Sequence, residues 1–136
     1  MSLDVDDICT DATLEEYTLG RSNLTEIIPA EWLDDDDNKT ALIGRQNALR
    51  FILEGLARRR PPIRETDLLV PSELKVAVAY RTLSMLYGGA ITYEEGPFSK
   101  QAARFDKLFS QEMTSLQPSV RAGATTSSLS VRLSRG

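Results

Sequence analysis

The sequence contains no histidine and a single cysteine, Cys9. Without imidazole, Ser–His and Cys–His nucleophilic pairs are excluded, together with histidine-ligated zinc sites and the commonest general base. One thiol cannot close an internal disulfide, which fits a chain made and kept in a reducing cytoplasm. No GxGxxG, no GxxxxGK[ST] phosphate loop and no cysteine cluster occurs. An enzyme built from this inventory would have only carboxylates, lysines and tyrosines, so the expectation is a protein without catalytic activity and without a cofactor. Apolar runs are short too, and none nears the ~20 residues that cross a bilayer. The acidic opening MSLDVDDICTD has no basic segment followed by an apolar run, and so does not read as a signal peptide.

What is present is ordinary globular material. The chain has 136 residues, 41% hydrophobic and 26% charged, which predicts one domain with an appendage. Its net charge of −4 is unevenly spread. Residues 1–40 hold twelve acids against Arg21 and Lys39, a balance of −10. The last twenty residues carry Arg121, Arg132 and Arg135 and no acid. Such segregation suits head-to-tail association of like subunits better than a grip on nucleic acid.

The periodicity predicts an all-α fold: a small bundle of three main helices with a short N-terminal helix and an extended, strand-like C-terminal tail. The short helix covers residues 10–20, with Thr10 or Asp11 as its N-cap and Gly20 as its stop. Residues 21–33 are expected to be a connection, because Pro29 prevents a long helix. Leu42, Leu49, Ile52, Leu53 and Leu56 mark the next helix, opened by Asp34–Asp37 and closed by Arg58, Arg59 and Arg60 in the sense the macrodipole favours. Residues 71–90 are apolar almost all round, so that helix is expected to be buried on more than one side. A bundle this small rarely encloses a helix completely. Part of that surface, with Val76, Tyr80, Arg81, Leu83 and Tyr87 as candidates, is therefore expected to meet a second subunit. Phe98, Ala102, Phe105, Phe109, Met113 and Leu116 form the stripe of a last helix that stops before Pro118. The helical domain is placed at 1–117 and an arm at 118–136, its Gly/Ser/Thr-rich stretch to Ser128 reading as a flexible connector.

Asp34–Asp37 could attract a hard cation, but the spacing of a calcium loop is missing, and an acidic helix start explains them more simply. Arg58–Arg60 could contact phosphates, giving an alternative reading as a small DNA-binding regulatory protein. Without a wider basic stripe they read rather as a solvated cap or as partners for acids on a neighbour. Arg81, within an apolar helix, demands a partner, and Glu65, Asp67 or Glu73 could supply an ion pair. In the tail, Leu129, Val131 and Leu133 alternate with polar residues, the period of a strand. With Arg132 and Arg135 they make a candidate docking segment that would join another protein's sheet edge.

The segment SELKVAVAYRTLSMLYGGAITYEEGPFSKQAARFDKLFSQEMTSLQP resembles the small helical head–tail connector (adaptor) proteins of tailed bacteriophages and prophages. Leu74, Lys75, Ala77, Tyr80, Leu83, Leu86 and Tyr87 match the first helix of that pattern. Phe98, Ala102, Phe105, Phe109 and Leu116 match the second, while LDDDDNK and the acidic opening depart from it. The resemblance implies a virion protein, made in the bacterial host cytoplasm, that forms a ring of about twelve subunits. That ring would join the capsid portal to a stopper or tail protein. It would extend the channel for double-stranded DNA without gripping it, and would have no membrane contact.

Overall fold

A computed structural model describes residues 3–18, 20–90 and 96–121. Among them are five α-helices: α1 (Asp11–Thr18), α2 (Arg21–Ile27), α3 (Leu42–Ala57), α4 (Lys75–Gly89) and α5 (Pro97–Ser115). The fold is all-α. The strand-like segment of the tail, with Leu129, Val131, Arg132, Leu133 and Arg135, lies outside the described residues.

Helix α1 opens on a reciprocal cap, in which the Thr13 amide donates to Thr10 Oγ1 and the Thr10 amide donates to Thr13 Oγ1, both at 3.3 Å. It ends at Gly20, whose φ of +126° a side chain would resist. The chain then turns directly into α2. Here the expectation of a plain connection is corrected. Pro29 does stop the helix, yet the seven residues Arg21–Ile27 still wind, because Leu24 and Ile27 gain a buried seat. Tertiary burial offsets the poor stability that so short a helix has alone.

The acidic run is also placed differently from expectation. Asp34–Asp37 do not open a helix; α3 begins only at Leu42. They form a tight turn closed by the antiparallel Leu33–Lys39 bridge. Asp34 Oδ1 accepts from the amides of Asp36 and Asn38 at 2.9 Å each, an Asx-type turn that competes with helix. Asp37 sits at φ +63°, which aspartate tolerates better than most residues.

Helix α4 is the central element. Ala77, Val78, Ala79, Thr82, Leu83, Leu86 and Tyr87 are buried within the chain itself, between α3 on one side and α5 on the other. Its all-round apolar character is thus largely answered by its own domain, with α1 and α2 covering part of the remainder. Thr82, fully buried, donates its hydroxyl to Val78 O at 2.6 Å and leaves no orphan. Pro71 starts a 3-10 turn, Pro71–Leu74, that feeds straight into α4. Between α4 and α5 an aromatic stack forms. Tyr87 lies almost parallel to Phe105 (6°, centroids 5.8 Å apart), and Tyr80 meets Phe105 at 6.1 Å and the edge of Tyr17 at 5.5 Å.

Candidate interaction surface

Three arginines, Arg45, Arg59 and Arg81, organise the domain, and the sequence pattern singles out two of them. Arg45, on the inner face of α3, is 4% exposed. Its Nε donates to Asp11 Oδ1 at 2.9 Å, and its Nη1 donates to the Cys9 carbonyl at 2.8 Å and pairs with Asp6. Asp11 also accepts from the Ala41 amide, so one carboxylate holds both the start of α3 and the guanidinium inside it. This centre was not anticipated; the available signal was a lone arginine between Ala41 and Ala48 on an apolar face. Cys9 beside it is buried, and burial pushes its thiol up to about 11, with Arg45 opposing. A thiol held protonated in this way is a poor nucleophile.

The Arg58–Arg60 cluster divides. Arg58 and Arg60 are exposed, whereas Arg59 turns back into the domain. Its guanidinium donates to Leu116 O at 2.6 Å and Met113 O at 2.7 Å, capping the carbonyl end of α5. Arg81 does not form the expected ion pair with Glu65, Asp67 or Glu73. Glu65 accepts from the Leu3 amide, Asp67 from the Arg64 amide, and Glu73 from Ser119. Arg81 instead lies 4.0 Å over the Phe51 ring and 5.7 Å from Phe109, with a buried Nε that has no hydrogen-bond partner. Of the other positions expected at a subunit boundary, Leu83 is fully buried and Tyr87 nearly so, while Val76 and Tyr80 are half-buried.

Beyond α5, the chain remains engaged. Pro118 is buried, and Ser119 is clamped by Glu73, its amide donating to Oε1 at 2.7 Å and its hydroxyl lying 2.9 Å from Oε2. Val120 forms an antiparallel bridge with Leu68. The Leu69 amide donates to Ser119 O at 2.9 Å, and the Arg121 amide donates to Asp67 O at 2.8 Å. The stretch expected to be a flexible connector therefore begins as a short pairing against Asp67–Leu69. Leu69 and Val70 stand beside it as two of the most exposed large apolar side chains, at 59% and 41%. The pairing partners lie about fifty residues apart in sequence, a distance over which periodicity carries no information.

Two open cavities stand out among the described residues. One, of about 610 Å³, lies against α3 and mixes Arg50 and Arg64 with Glu54 and Glu65. The other, of about 540 Å³, lies where the end of α4 meets the start of α3. Ile27, Pro29, Trp32, Met85 and Leu86 form its apolar lining, and Glu26 and Glu31 its rim. Trp32 packs on Gly44, where a Cβ would come within 3.3 Å of the indole. Among the described residues, no group of three or more Asp, Glu or Cys is placed to hold a metal ion, and no helix is long and apolar enough to cross a membrane. No family model matches the chain, and neither does any curated protein or solved structure compared with it.

Proposed function

We propose that this chain is a structural assembly protein of a tailed-phage virion, forming a ring that joins the capsid portal to the tail and extends the DNA channel. Its C-terminal arm docks on a neighbouring protein, the portal, as an added strand. The observation that carries this reading is the anchored root of the arm: Ser119–Arg121, pinned to Asp67–Leu69 and Glu73 at the domain surface. A fixed root lowers the conformational freedom lost when the segment Leu129–Leu133 docks. The helical architecture, the residue pattern along α4 and α5, and the separation of acidic and basic ends support the same reading. Assembly leaves the passing duplex mobile, since a net acidic ring repels phosphate.

The DNA-binding alternative is less well supported. One of its three arginines, Arg59, is committed to the end of α5, and Arg81 lies over Phe51. Deleting residues 122–136 while keeping the paired root is the test of the arm. The helical circular dichroism signal should persist and co-sedimentation with portal should be lost. Undiminished portal binding by that truncation would remove the arm from the mechanism. Steep, salt-sensitive binding of the full chain to duplex DNA would favour the alternative instead.

A further inference from the structure

We infer that the groove lined by Trp32 and Met85 receives the C-terminal arm, residues 129–135, of a second copy of this chain. The groove is apolar on its floor and acidic at its rim, where Glu26 and Glu31 are exposed and, among the described residues, have no ion-pair partner. The arm is its chemical complement. Leu129, Val131 and Leu133 offer an alternating apolar edge, and Arg132 and Arg135 offer the opposite charge with no acid among them.

Placement favours a second copy over the same chain. The arm leaves the domain at Arg121, beside Asp67 and just ahead of the start of α4. The groove lies at the other end of α4, at Met85–Ala90. Those ends are separated by a helix of 15 residues, about 22 Å. The eight residues from Ala122 to Leu129 reach at most about 28 Å when fully drawn out. Within one chain those eight residues would have to run close to fully extended, at a high cost in chain entropy. A neighbour imposes no such limit. Root and groove at opposite ends make the contact head-to-tail, the heterologous type that closes into rings or runs on as filaments. The inference rests on the assembly reading only in taking the arm as a docking segment. An arm has one acceptor at a time, so the groove of the next copy serves before portal is met.

The test is sedimentation velocity of the full chain over a concentration series at low and high salt. The wild-type protein should associate with rising concentration, and added salt should weaken the association. Glu26→Lys with Glu31→Lys, and separately Arg132→Glu with Arg135→Glu, should each weaken it by roughly tenfold or more, since like charges then face each other. An equimolar mixture of the two doubly reversed proteins should associate again, because each arm then meets a groove of opposite sign. Glu26 and Glu31 are exposed, so circular dichroism should show both variants folded. A wild-type chain that stays monomeric at about 500 µM, or a mixture that fails to associate, overturns the inference. Binding to portal by a chain that never self-associates would overturn it while sparing the assembly reading. Self-association by the charge-swap rule without portal binding would support it and sink that reading alone.

Discussion

Arg45 on α3 and Arg81 on α4 both interrupt apolar helix faces, and their surroundings differ in kind. Arg45 is closed in by Asp11, Asp6 and the Cys9 carbonyl, so its charge is neutralised and its Nε and Nη1 both donate. Arg81 has no carboxylate within ion-pairing distance among the described residues and is laid across Phe51, itself 43% exposed. A buried guanidinium is stable only when paired, whereas one near the surface can rest on an aromatic face and keep part of its hydration. The first arginine ties three segments of chain together. The second sits at the boundary between core and surface, where α3, α4 and α5 come together through Phe51, Arg81 and Phe109.

The largest expected effect breaks the first environment. Asp11→Ala leaves Arg45 buried with one semi-exposed carboxylate and frees the Ala41 amide, and should lower unfolding stability by about 3 kcal/mol in urea titrations. A loss comparable with that of an ordinary surface substitution would mean the network is not what holds α1 to α3. Next comes the pH response of the same region. The Cys9 thiol is raised from its ordinary 9.0 to about 11 in the fold. Below pH 9 folded and unfolded chains both hold the proton, and the contribution is fully present. As pH rises from 9 towards 11 the unfolded chain gives up its proton first, so stability falls, by on the order of 2–3 kcal/mol at most. Cys9→Ala should flatten that decline in urea midpoints measured between pH 8 and 11; an identical decline in both proteins would assign it to other groups.

Arg59→Ala should follow, at about 1–2 kcal/mol, because it strips the carbonyls of Met113 and Leu116 of their donors without leaving a buried charge. Hydrogen exchange in the last turn of α5 should quicken in that variant, while exchange in α1 should not change. The smallest effect is expected at Arg81→Met, about 1 kcal/mol or less, since the replacement keeps the contact with Phe51 and removes an unpaired Nε. A loss there as large as that of Asp11→Ala would erase the contrast between the two arginines.

Much of the helical content was readable from local pattern. The Gly20 stop, the start at Pro71, the stripe from Phe98 to Leu116 and the end before Pro118 all follow from spacing and from backbone-restricting residues. Helix α2 was not readable, because seven residues before Pro29 carry little helical preference and form only where Leu24 and Ile27 find a core. The run Asp34–Asp37 misled for the opposite reason. Its charge suited a helix start, but Asp34 bonds to backbone amides more readily in a turn.

The surface reading shows the same division. Alternation in the tail makes Leu129, Val131 and Leu133 a candidate docking segment, a reading that rests on sequence alone. Nothing along the chain indicates that Asp67–Leu69 would receive Ser119–Arg121, or that Trp32 would lie over Gly44 to wall a groove. By itself the sequence determined an all-α domain, the C-terminal ends of its longer helices, the missing imidazole chemistry and the separation of its charges. These depend on residue type and on spacings within a few turns. Which arginine is paired, where the arm is rooted and where an acidic-rimmed groove opens were decided only in the tertiary structure. Each joins residues far apart in sequence, and their meeting depends on how the helices pack around α4.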